Sequence, residues 1–84
     1  MPVISKFYGI TIKIYFRSKE HNPPHIHAFY GDYVGVFSLI NDEMFEGEIP
    51  NKEQQMIIRF IKFYRNQLVD MWNTQVFEML PPIE

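Results

Sequence analysis

From residue 7 to residue 17, apolar and polar positions alternate. Tyr8, Ile10, Ile12, Ile14 and Phe16 fall on one side, and Thr11, Lys13, Tyr15 and Arg17 on the other. A repeat of two is that of a strand covered on one face, so this segment predicts a strand with an isoleucine side. Residues 18–24 read as a turn-rich connection, held extended by Pro23-Pro24 because each ring fixes φ and biases the residue before it away from helix. Residues 25–30 and 33–39 then flank Gly31-Asp32, a two-residue loop of the primed-turn kind, and together predict a hairpin. That loop pairs Tyr30 with Tyr33, Ala28 with Gly35 and Ile26 with Phe37 on one face. His25, His27 and Phe29 stand opposite Ser38, Val36 and Val34 on the other. After a turn at Asn41-Asp42, residues 44–49 form a weaker strand whose Glu46 and Glu48 suit a sheet edge.

Pro50-Asn51 ends the sheet, and Asn51 with Gln54 three positions on has the spacing of a capping box that opens a helix. Beyond it, Met56, Ile57, Phe60, Ile61, Tyr64, Leu68, Met71 and Trp72 keep a spacing of three and four for more than four turns. Arg59, Lys62, Arg65, Asn66, Asp70 and Asn73 point the other way. Four antiparallel strands covered on one face by this helix, bent or straight, predict a small two-layer α+β domain over residues 1–80, with a short tail at 81–84.

Composition fits that fold. The 84 residues are 46% hydrophobic and 17% aromatic. A chain this short has a thin core, and 8 Phe, 5 Tyr and 1 Trp fill it densely or meet a partner. Cysteine is absent, which excludes disulfides, thiolate nucleophiles and Cys-based metal sites and fits a reducing, cytoplasmic setting. No apolar run approaches the ~18–20 residues of a membrane span, and residues 1–6 lack the pattern of a signal peptide. A membrane partner is therefore not expected. The net charge of −2 is mild but unevenly spread: residues 1–30 sum to +3 and residues 31–53 to −5. A basic first third thus meets an acidic middle.

Several segments carry a resemblance. Met1-Pro2-Val3-Ile4-Ser5-Lys6-Phe7-Tyr8-Gly9-Ile10, Glu20-His21-Asn22-Pro23-Pro24-His25-Ile26-His27-Ala28, Tyr30-Gly31-Asp32-Tyr33, Glu46-Gly47-Glu48-Ile49-Pro50 and the late Trp72 together resemble the bacterial domain-of-unknown-function 4160 family. The resemblance implies no activity and carries over no catalytic residue. It implies a small gene that sits beside a second small gene, in an arrangement similar to a toxin–antitoxin pair, and hence a protein partner.

The histidines are the first candidates for chemistry. Alternation sets His25 and His27 on one strand face, and a His-x-His pair offers two imidazoles to one metal ion, with His21 as a third from the loop. The same rings equally serve as hydrogen-bonding structural groups, or as part of a binding surface. Lys13, Tyr15, Arg17 and Phe29 share their face. Cations and rings on an open sheet grip phosphates and stack bases, while Phe29, Val34 and Val36 there also make a surface for a second copy or a protein partner. A ribonuclease-like reading, with histidine as acid or base and Lys13 or Arg17 stabilising the phosphorane, is chemically adequate but nothing in the spacing demands it. Arg59, Lys62 and Arg65 make a second basic stripe on the helix, read either as a phosphate contact or as its solvated side. Glu43, Glu46 and Glu48 read as a solvated edge, and Gly31 and Gly47 as turn or bulge glycines. The expectation is thus a non-enzymatic component that binds a protein encoded nearby or a second copy. Nucleic-acid binding is the alternative, a His-based metal site the second alternative, and no cofactor is expected.

Overall fold

Neighbours in the sheet are also neighbours in the chain. In the computed structural model, which describes residues 2–15 and 23–82, β1 (Val3–Phe7), β2 (Ile10–Lys13), β3 (His25–Tyr30), β4 (Tyr33–Ser38) and β5 (Met44–Gly47) form one antiparallel meander in the order β1-β2-β3-β4-β5. A single helix, α1 (Asn51–Thr74), follows. The domain is the expected α+β layer of sheet and helix, with five strands in place of four.

The extra strand is β1, which precedes the alternating run at residues 7–17 and takes only Phe7 from it. That run is not one strand: Tyr8 and Gly9 both take positive φ, 49° and 79°, and turn the chain back so that Phe7 pairs with Ile10. Tyr8 is therefore 68% exposed at a turn and does not join the isoleucine face. Ile10, Ile12 and Ile14 are fully buried as the alternation requires. Phe16 and Arg17 lie outside the described residues.

The β3–β4 hairpin has the register read from its loop, from His25 opposite Ser38 to Tyr30 opposite Tyr33. Its core side holds Ile26, Ala28 and Phe37. Gly35 opposite Ala28 leaves room beneath the sheet, since a Cβ there would lie 2.7 Å from Ile49 Cγ1 and 2.8 Å from Met44 Sδ. Gly47, at φ 91°, closes β5 where only glycine fits: a Cβ on it would land on the carbonyl oxygen of Val34, and the next amide, Glu48, donates to that oxygen at 2.9 Å. The register shift of the pair falls earlier, where Val36 faces Glu46 but Phe37 faces Met44. The chain then turns under the sheet and buries Ile49.

The helix puts Ile57, Phe60, Ile61, Tyr64, Leu68, Met71 and Trp72 into the core, the stripe its spacing predicted. Phe60 stacks on Phe7 with ring centroids 5.0 Å apart. The capping box does not form. Asn51 is already inside the helix, Pro50 holds the cap position without a side-chain bond and, as a proline, has no N–H for Gln54 to reach. Gln54 instead donates its amide N–H to the Pro50 carbonyl at 2.9 Å, and its side chain points to Met44 Sδ. The helix bends at Tyr64 (φ −108°, ψ 18°) and ends where Gln75 takes a left-handed conformation and donates to the Met71 carbonyl.

The two sheet edges differ. Along β1, Leu80 donates its amide to the Ile4 carbonyl at 2.7 Å and is itself buried, and Tyr64 donates its hydroxyl to the Pro81 carbonyl at 2.7 Å. The chain after the helix thus lies against that edge. β5 is exposed from Phe45 to Gly47. Among the described residues no helix is long and apolar enough to cross a membrane.

Candidate functional site

The face of the sheet turned away from the helix gathers most of the residues singled out above. Register alone builds its rows. Lys13 on β2 stands opposite His27 on β3, His27 opposite Val36 on β4, and Val36 opposite Glu46 on β5. One step along, Thr11, Phe29 and Val34 make a parallel row. Because successive side chains alternate faces, this row carries the polar half of the pattern whose apolar half is the core.

Ring contacts then tie the rows together. The Tyr15 ring meets His27 edge-on at 4.2 Å between centroids, and His27 meets His25 at 5.3 Å. His25 in turn contacts Phe45 at 5.9 Å and Trp72 at 4.7 Å. Further along β3, the Lys13 ammonium lies 4.8 Å from the centre of the Phe29 ring, a cation–π contact. A chain of rings therefore runs from Tyr15 through both histidines to the end of the helix. Phe45, 51% exposed, and Val34, 42% exposed, flank it with apolar surface.

The two imidazoles have different surroundings. His25 Nδ1 is 2.8 Å from the Pro23 carbonyl oxygen, to which it donates when protonated, so the ring is anchored through that nitrogen. His27 Nδ1 is buried without a hydrogen-bond partner among the described residues. Its pKa is lowered from the usual 6.5, chiefly because burial disfavours the charged ring, then because His25 is beside it, with Glu46 pulling weakly the other way. A neutral His27 next to an anchored His25 suits stacking and packing against a partner.

As a metal centre the pair is bare. His25 and His27 could supply two nitrogens, but among the described residues no group of three His, Cys, Asp or Glu side chains converges. His21, the expected third ligand, lies outside the described residues, as does Arg17.

The helical stripe divides. Arg59 and Lys62 are exposed. Arg65 leaves the solvated face: its guanidinium donates to the Leu39 carbonyl at 2.7 Å and grips Asp42, with Nη2 2.7 Å from Oδ2 and 2.6 Å from Oδ1. It ties the β4–β5 turn to the helix, where Asp42 sits at φ 66°. A planar fork reaching a carbonyl and a carboxylate at once is the geometry arginine serves best. Sequence spacing placed Arg65 on the outer stripe because it counts positions along one helix and is blind to the loop folded beside it.

Trp72, Phe45 and Glu46 also border this surface, and the sequence reading did not set them there. Trp72 fits the buried helical stripe and does bury, yet one side of its ring meets His25. Glu46 is the edge residue expected, and the observed pairing of Val36 with Glu46 is what places it on the histidine face.

The family described as Domain of unknown function (DUF4160) matches residues 9–73. The chain belongs to that family. No curated protein and no solved structure matches it. Within this DUF4160 domain the matched span runs from the start of β2 to near the end of α1, and so contains every described member of the ring chain, from Tyr15 to Trp72. β1 and the segment that covers it lie outside the match.

Proposed function

We propose that this DUF4160 domain is a non-enzymatic binding component that works with a small protein partner, in a two-gene arrangement like that of a toxin–antitoxin pair. The partner docks on the open sheet face and along β5. The observation that carries this reading is the ring chain with its apolar flanks, Phe29, Val34 and Phe45, on a face that α1 reaches only at Trp72. Exposed apolar surface of this kind is characteristic of association sites, and a sheet edge free of a neighbouring strand adds backbone donors and acceptors for an incoming one. The neutral, desolvated character of His27 supports a dry contact over a phosphate contact. Nucleic-acid binding, including a ribonuclease-like role, is the second reading, favoured by Lys13 sharing this face with both histidines. Here the Lys13 ammonium is already held over Phe29.

Affinity purification of the tagged protein from its native host, with mass spectrometry and sequencing of co-purified nucleic acid, separates the two. The expected result is one stoichiometric small protein that is lost on Val34→Lys with Phe45→Glu and kept on Arg59→Glu. Nucleic acid recovered in its place, and lost on His25→Ala with His27→Ala, would overturn the proposal in favour of the second reading.

A further inference from the structure

On the helix side of the molecule, away from the ring chain, an open groove of about 490 Å³ lies between the β1–β2 turn, the end of β3 and the first turns of α1. Its walls are Phe7, Tyr8, Tyr30 and Met56, and its rim carries Lys52, Glu53 and Arg59. We infer that this groove binds a nucleotide, an aromatic base bearing a phosphate.

Tyr8 is the residue the fold does not explain. It occupies the first position of a two-residue turn at φ 49°, a left-handed conformation suited to Asn, Asp or Gly and costly for a bulky side chain. There it leaves its ring largely in solvent at 68% exposure. Strained positions that persist without a packing reason cluster at ligand sites. In the same groove the Tyr30 ring packs beside the backbone of Gly9, where a Cβ would lie 3.5 Å from Tyr30 Cε1 in ordinary contact. Tyr30 is braced from behind by Tyr33, their rings 15° from parallel at 6.4 Å. One braced ring and one exposed ring line the groove together with Met56 and Phe7, a lining with the character of a base-stacking platform.

The rim selects the rest of the ligand. Lys52 and Arg59 are seven residues apart on one helix, roughly 10 Å along its axis, and so mark two places where a phosphate can be held. In a chain of net charge −2 this groove carries two cations and one carboxylate. A purely apolar peptide would leave both cations unmatched. A bare phosphate would use none of the rings. Glu53 disfavours a bare anion but can accept a hydrogen bond from an exocyclic amino group, which favours a base that carries one, with adenine the first to try.

The test is an NMR titration of the full chain with adenosine 5′-monophosphate, and in parallel with adenosine, inorganic phosphate and a five-residue oligoadenylate. The expected result is a saturable response at residues 8–9, 30 and 52–59, with AMP binding at least about tenfold more tightly than adenosine or phosphate. Tyr8→Gly and Arg59→Glu should each weaken it at least about tenfold. Tyr8→Gly also controls for folding, because glycine suits the left-handed turn and its Tm should equal or exceed that of the parent. Oligoadenylate binding more tightly than AMP makes the ligand a strand, and equal affinity makes it a free nucleotide; both support the site. No saturable response to AMP, phosphate binding as tightly as AMP, or unchanged binding by both variants would overturn it.

Discussion

On the helix side of the sheet, Ile10, Ile12, Ile14, Ile26, Ala28 and Phe37 are fully buried. On the other side the residues that alternate with them, Lys13, His25, His27 and Phe29, are all half-buried. Both faces come from the same strands. The covered face consists almost wholly of aliphatic side chains that pack in one way against α1. The open face mixes rings and charges that touch one another at their edges with Val34 and the buried Val36 of β4. Aliphatic burial stabilises in proportion to the area removed from water and is indifferent to direction, whereas ring and imidazole contacts are directional and each contributes little beyond its area. The difference predicts that stability resides in the first face and binding in the second.

The largest test of that division is a pair of truncations. Phe60 is fully buried, stacks on Phe7 and meets the Tyr64 ring at a tilt, both at 5.0 Å, so Phe60→Ala should cost about 3–5 kcal/mol in urea unfolding. For so small a domain that is a large share of the stability expected. Phe29→Ala, on the open face, should cost about 1 kcal/mol or less. Equal losses in the two variants would mean that the open face is part of the core.

The division was only half legible in the sequence, for a physical reason. The β3–β4 hairpin could be read to the residue because a two-residue loop fixes register, and register fixes faces. The β1–β2 hairpin could not. Tyr8 continues the Tyr8, Ile10, Ile12 alternation while the backbone turns on a tyrosine and a glycine in left-handed conformations, and tyrosine carries no signal for such a turn. β1 hides further because its register shifts between Val3 and Ser5, which breaks the period of two. The site follows the same rule. His25, His27, Lys13 and Phe29 share a face by alternation alone, but the meeting of Trp72 with His25 and of Arg65 with Asp42 depends on where the bent helix lies over the sheet, which no spacing along the chain encodes.

Arg65 supplies the next largest effect and sharpens where the covered layer ends. Arg65→Ala removes the donors to Leu39 and Asp42 and leaves a mostly buried carboxylate without its cation. A loss of about 1–3 kcal/mol in thermal unfolding is expected. Arg65→Lys should recover only part of it, since an ammonium cannot reach carbonyl and carboxylate with a planar fork. A cost near zero would place Arg65 back among the solvated helix cations with Arg59 and Lys62.

His27 gives a smaller effect with a definite sign. Its pKa in the folded protein lies below the unfolded 6.5, through burial first and His25 second. Between those two values the unfolded chain binds more protons. The His27 contribution is therefore complete above about pH 6.5, is lost as pH falls from there toward the lowered folded value, and is flat below it. The urea midpoint of the parent should drop more between pH 8 and pH 5.5 than that of His27→Phe. A parent that drops less than the variant would mean that the open face stabilises a charged imidazole, and would return the histidines to the phosphate-binding reading.

The smallest effect concerns how the covering helix is held. If α1 stays on the sheet through its apolar stripe, its local start signal is dispensable, and the absence of any side-chain bond at its N-terminus fits that. Most helical stability in folded domains comes from packing of the apolar face, whereas a working cap contributes about 1 kcal/mol. Asn51→Ala should then change stability by no more than about 0.5 kcal/mol, and in the favourable direction, because alanine is the better helix former inside the first turn. A loss near 1 kcal/mol in urea unfolding would show that Asn51 caps the helix in solution, and that the covered face relies on a local signal as well as on the burial of Phe60 and its neighbours.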